Sequence, residues 1–144
     1  MATTTSSSIL LATVLPERFS QEAIALITSL TGQQIQIAVP TLFHYEIVAV
    51  LRKHAHRGSL TVAEAESKCD LLLAQPVQAL IDDALLRRGF ALATQFNRPT
   101  AYDAQYLAVA ERLGCDFWTA DERLYNVVNT QLSWVGWLGS AAAP

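Results

Sequence analysis

The chain has 144 residues, 51% of them apolar, and a formal charge of −3. A chain of this length buries roughly 68–70% of its unfolded surface, so one domain can fold without a metal or disulfide staple. The acidic balance lacks the basic excess usual in nucleic-acid binders, and argues against one unless the acids are concentrated in a site. Cys69 and Cys115 stand far apart with no metal spacing, as free thiols in a reducing cytoplasm would. The start "MATTTSSSILLATVLPE" has an apolar run with no basic residue before it, unlike a signal or transit peptide. No stretch approaches the roughly 20 apolar residues of a membrane span. The expectation is a cytoplasmic protein with no membrane association, a single domain over residues 1–138 and a frayed tail over 139–144.

In chain order, "FSQEAIALITSL" (19–30) has helical apolar spacing, with Ser20 as its N-cap. "GQQIQIAVP" (32–40) alternates as a strand does and stops at Pro40. "TLFHYEIVAVLRKHAHRG" (41–58) reads as a long helix between Thr41 and Gly58. A second helix follows over 61–75, opened by Thr61, then a short strand over 76–81. Residues 82–97 are helical, with two acids where the helix dipole favours them. The helix 100–114, closed by Gly114, leads to a strand 116–120, a short helix 122–129 and a last strand 132–139. Strands separated by helices of this length imply an α/β fold, a mainly parallel sheet covered on both faces. Ligands of such sheets bind beyond the carboxyl ends of the strands.

Three acids stand out. Asp121 follows the strand "DFWTA", and a helix N-cap, worth about 1 kcal/mol, explains it equally well. Thr100 and Asp103 form a T-x-x-D helix start, yet Asp103 shares a face with Tyr106, Leu107 and Ala110. Glu46 interrupts a stripe of Leu42, Phe43, Ala49 and Val50. Burying its charge costs several kcal/mol unless it is compensated, and an ion pair with Arg98 or Arg123 is the structural alternative. Carboxylates packed together repel unless a cation neutralises them. Their oxygens suit Mg²⁺ or Mn²⁺, and the chemistry that follows is hydrolysis of a phosphodiester by a metal-activated water.

"VPTLFHYEIVAVL", followed by "TAYDAQYLAVAERLGCDFWTADERL", resembles the PIN domain, most closely the bacterial VapC-like toxins, over nearly the whole chain. "ILLATVLPE" looks like that family's first helix. The resemblance implies a PIN-like three-layer fold, with a mainly parallel sheet between helices. It implies a Mg²⁺- or Mn²⁺-dependent endoribonuclease, often neutralised by a small antitoxin protein. Glu46, Asp103 and Asp121 match three of the family's acidic metal ligands. Thr119 matches a bracing hydroxyl, and Asn126 a polar residue near the metal. One departure matters: Ser6 stands where the family's first strand ends on an aspartate, with Ser8 at the family's serine. Either the domain has lost cleavage and kept RNA or antitoxin binding, or the start differs from the natural one. The matching first strand, "ATTTSS", also has no large apolar residue.

Arg52, Lys53 and Arg57 are candidates to contact RNA phosphates, although cations at a helix C-terminus also answer the dipole. His54 and His56 lack the i, i+4 spacing of a zinc site. Arg87 and Arg88 fit a solvated face, and Trp118, Trp134 and Trp137 a core or interface. "ILLATVLPERF" with "LTVAEAESKCDLLL" offers apolar surface for a homodimer or an antitoxin. A phosphoacceptor receiver domain also places Asp at strand tips, but it needs a lysine late in the chain, and the only lysines are Lys53 and Lys68.

Overall fold

The computed structural model describes residues 1–140. In chain order its elements are β1 (Ala2–Thr5), α1 (Ser7–Ala12), α2 (Ser20–Gly32), β2 (Gln36–Pro40), α3 (Leu42–Arg57) and α4 (Val62–Leu73). They continue with β3 (Val77–Leu80), α5 (Asp83–Gln95), α6 (Tyr102–Leu113), β4 (Phe117–Thr119), α7 (Glu122–Val128) and β5 (Val135–Trp137). The five strands form one sheet in the order β3-β2-β1-β4-β5, and every pairing is parallel. Parallel neighbours require crossovers, and right-handed crossovers send α1–α4 to one face and α5–α7 to the other. In keeping with this, α1 packs on α2 and α3, α3 on α4, and α5 on α6, while α6 lies across β1, β2 and β4. The α/β expectation, a parallel sheet flanked by helices, holds.

β1 occupies the centre of that sheet, although its sequence is all small and hydroxylated. Thr3, Thr4 and Thr5 are buried. Their β-branched side chains suit a strand paired on both sides. Two of the hydroxyls find acceptors or partners, Thr3 Oγ1 donating to Asp116 O at 3.1 Å and Thr4 Oγ1 lying 3.7 Å from Cys115 Sγ. The larger apolar residues come from the flanking elements. Phe43, Ile47 and Leu51 of α3, Tyr106 and Leu107 of α6, and Phe117 of β4 are all buried.

Several boundaries differ from the sequence reading. Helix α2 continues through Gly32, and Gln34 adopts φ 57°, so β2 begins only at Gln36. Ser20 is not the cap of α2, for Phe19 holds that position. Ser20 Oγ instead ties the preceding turn, donating to Leu15 O at 2.7 Å and accepting from Glu17 N at 2.8 Å. Thr41 precedes α3 but makes no capping bond. The last strand shrinks from 132–139 to Val135–Trp137 because the chain is still turning after α7, with Leu132 N bonded to Val128 O. Of the expected frayed tail over 139–144, residues from Ala141 onward lie outside the described residues. Leu138 and Gly139 form a turn, closed by Ser140 N donating to Trp137 O at 3.0 Å.

The strongest local signals hold. Gly58 (φ 81°) and Gly114 (φ 61°) close α3 and α6 in the left-handed conformation that favours glycine. Thr61 opens α4 with a capping box: its hydroxyl accepts from Glu64 N at 3.1 Å and Glu64 Oε1 accepts from Thr61 N at 3.0 Å. Thr61→Ala is expected to lower the unfolding free energy by about 1 kcal/mol, measured by urea titration.

The apolar surface expected from two segments survives in one. Ile9, Leu10, Leu11 and Leu15 are buried in the core, because α1 is wedged against α2, α3 and the sheet. Val62, Leu71 and Leu73 of α4 remain exposed.

Candidate active site

Strand order locates the cleft. From β1 the chain runs outward to β2 and β3, then crosses back to β4 and continues outward to β5. The topological switch therefore falls between β1 and β4, and the space beyond their carboxyl ends is where such sheets bind ligands. Both strands deliver polar residues there. β1 ends at Thr5 and passes into Ser6, whose amide donates to Trp118 O at 3.0 Å. β4 ends at Thr119, and Asp121 follows.

Helix starts supply the rest. Ser7 is the first residue of α1, Glu46 lies in the second turn of α3, Asp103 is the second residue of α6 and Asp121 is the N-cap of α7. The partial positive charge of helix N-termini favours anions at this end of the sheet.

Each sequence-derived candidate has a defined place. Asp121 caps α7, its Oδ1 accepting from Arg123 N at 2.9 Å and Leu124 N at 3.2 Å. Thr119 is buried, and its Oγ1 accepts from Asp121 N at 3.0 Å, which braces the turn. Asp103 makes no capping bond, for Ala101 holds the N-cap position of α6. The T-x-x-D pattern therefore does not explain this acid. Asp103 Oδ2 lies 3.9 Å from Arg98, with 43% of its side chain exposed.

Glu46 is half-buried and flanks the buried stripe of α3 formed by Phe43, Ile47 and Leu51, rather than sitting in its middle, and Ala49 is exposed. The ion pair with Arg98 or Arg123 is not formed: Arg98 goes to Asp103 and Arg123 is exposed. Two hydroxyls hold Glu46 instead. Tyr106 Oη donates to Oε1 at 2.6 Å, and Ser7 Oγ to the same oxygen at 3.2 Å. Sequence reasoning placed Tyr106 in the core and passed over Ser7. The available signal was that a buried tyrosine hydroxyl needs a partner, and Tyr106 lies one helical turn after Asp103.

Ser6 is buried, and its Oγ lies 2.5 Å from that of half-buried Ser8. Asn126 is exposed on α7 and makes no hydrogen bond to the carboxylates. Arg52, Lys53 and Arg57 are exposed along α3.

The carboxylates feel one another in series. Burial raises the Asp103 carboxyl above its ordinary range, and the charge of Asp121 raises it further against the opposing pull of Arg98. Burial likewise raises Glu46, with the charge of Asp103 adding to it, although the bonds from Tyr106 and Ser7 act the other way. Burial, then the charge of Glu46, drives the Tyr106 phenol far upward, so it stays a neutral donor. Among the described residues, no three His, Cys, Asp or Glu side chains come close enough together to hold a metal ion as they stand.

The PIN domain family model matches residues 7–129. The chain belongs to the PIN domain family. It is also 32% identical over 122 residues to Ribonuclease VapC3 of Pyrobaculum aerophilum, an alignment covering 82% of this chain and 88% of that protein. The match to the PIN domain begins at Ser7, one residue beyond the serine at the tip of β1. It spans Glu46, Asp103, Thr119 and Asp121.

The polar groups at this end of the sheet that could hold a cation are all oxygen. They are the carboxylates of Glu46, Asp103 and Asp121, the serine hydroxyls at the tip of β1 and the buried, unpartnered Thr5 Oγ1 at the same strand end. Such donors fit a hard divalent cation and not a thiolate-seeking metal. Burial, with a smaller part from neighbouring negative charge, raises the Glu46 and Asp103 carboxyls, and a cation would offset both.

Proposed function

We propose that this PIN domain is a Mg²⁺- or Mn²⁺-dependent endoribonuclease of the VapC toxin type. The reading is carried by one observation. Glu46, Asp103 and Asp121 come from three separate helix starts, yet Asp103 lies in electrostatic reach of both ends of the series, its charge acting on Glu46 and that of Asp121 acting on it. A structural role accounts for Asp121 as a cap, but not for half-buried Glu46 and Asp103, each raised by burial and by the charge of another acid. Likeness to a ribonuclease over most of the chain supports the same reaction class.

Glu46, Asp103 and Asp121 would hold the cation, which supplies charge neutralisation at the scissile phosphate and acidifies a water. The chain's own part is positional. Thr119 fixes the turn that carries Asp121, and the α7 cap leaves Asp121 Oδ2 without a protein donor among the described residues. Arg98 neutralises part of the charge on Asp103 when no cation is present. Arg57 lies eleven residues beyond Glu46 on α3, about 16 Å along the axis. Lys53 and Arg57 also share the Glu46 face at 100° per residue, so they would meet phosphates flanking the cleavage point. Asn126 would take a supporting place at the rim, and Ser6 and Ser8 would offer neutral oxygens. A small antitoxin protein and a second copy of the chain are the proposed protein partners, and the cytoplasm the proposed compartment.

A second reading is a degenerate PIN domain that binds RNA or antitoxin without cutting. Ser6, a neutral residue where the family has a carboxylate, favours it. The deciding experiment incubates the chain with single-stranded RNA after EDTA treatment, then with Mn²⁺ or Mg²⁺ restored. Cleavage that returns only with the cation supports the nuclease. RNA retained without cleavage under either condition supports the binding module.

A further inference from the structure

We infer that Tyr106 is a positioning residue for Glu46, a role that rests on the nuclease reading above. Three elements meet at one carboxylate oxygen. Glu46 Oε1, on α3, accepts from Tyr106 Oη of α6 at 2.6 Å and from Ser7 Oγ of α1 at 3.2 Å. Oε2 has no protein donor among the described residues. A glutamate side chain unrestrained in this way would lose rotamer freedom on taking up a ligand. Two donors on one oxygen fix the carboxylate beforehand and leave the other oxygen for a ligand.

The geometry ties this to Asp103. Tyr106 follows Asp103 by three residues on α6, so one helical turn carries one acid and the clamp for another. Tyr106 is 1% exposed, and its ring stacks on Phe117 with centroids 6.1 Å apart. The hydroxyl therefore sits on a ring that packing holds still. The ring packs in the core, and the hydroxyl at its end meets Glu46 and Ser7.

Tyr106→Phe keeps the ring and removes the donor. Outer partners of metal-holding groups are worth about 10–100-fold in affinity or activity. In the full chain, titrated calorimetrically with Mn²⁺ alone, Tyr106→Phe is expected to weaken binding by about 10-fold. RNA cleavage should show kcat falling by a similar factor with KM unchanged, which a purely structural hydroxyl would not produce. Ser7→Ala, at the longer bond, should move both readouts in the same direction by less, and carries the test if Tyr106→Phe fails to fold. Parental Mn²⁺ affinity and kcat in the variants, alongside lost binding in Asp103→Asn, would overturn the positioning role and leave the nuclease reading intact. A parent chain that takes up no Mn²⁺ overturns both.

Discussion

Asparagine at Asp103 is expected to lower metal-dependent RNA cleavage by at least about 100-fold, the upper range for loss of a mere outer partner. The same substitution is expected to raise the melting temperature of the metal-free protein near neutral pH. The two effects share a cause. Burial, followed by the charge of Asp121, raises the Asp103 carboxyl in the folded state, with Arg98 opposing. The folded chain therefore holds that proton more tightly than the unfolded chain does. Stability from this group falls as pH rises from the unfolded value through the folded one, and stays low above it. Asparagine removes that penalty where the carboxyl would be ionised, and changes little well below about pH 4, where both states become protonated. The gain is modest, because a side chain 43% exposed is screened by solvent. Cleavage assays with Mn²⁺ and thermal melts in EDTA at neutral and acid pH check both parts. A variant that cuts as fast as the parent removes Asp103 from the machinery. A lower metal-free melting temperature would mean that the Arg98 pair outweighs the repulsion.

Aspartate at Ser6 is expected to strengthen Mn²⁺ binding and raise cleavage, by about 10–100-fold. Ser6 stands at the carboxyl end of the central strand and is the N-cap of α1, with extended backbone angles and no side-chain capping bond. An aspartate there sits beside the first turn of α1, where Ile9 N already donates to Ser6 O at 3.1 Å, and has Ser8 Oγ, now 2.5 Å from Ser6 Oγ, as a donor. Without metal, a fourth carboxylate beside three others should lower the melting temperature, and Mn²⁺ should restore it. Activity appearing only in Ser6→Asp would mark the parent as a degenerate domain. Activity already present in the parent refutes degeneracy. A variant with weaker Mn²⁺ binding than the parent would show that this strand tip does not face the ion.

Much of the fold was legible because helices and strands announce themselves in neighbouring residues. The 3.6-residue spacing of α3 and α6, the glycines that end them and the capping box at Thr61 are all local. The boundaries that moved have local physical causes of another kind. Ser20 found partners in the turn before it, and the segment after α7 kept turning until Val135. β1 was illegible as a good strand because its apolar environment comes from other elements. Three threonines suffice at the centre of a sheet whose two faces are covered by helices.

The candidate site divides the same way. Its acids could be picked out because Glu46 stands among apolar residues at the margin of its helix's buried stripe and Asp121 ends an apolar run. Their surroundings could not. Arg98 turned out to face Asp103, and Glu46 to be held by Ser7, 39 residues earlier, and Tyr106, 60 residues later. Periodicity and capping are short-range properties, readable from a window of a few residues. Which side chains share an oxygen depends on crossovers that bring distant helix starts to one edge of a sheet, and no short window contains them.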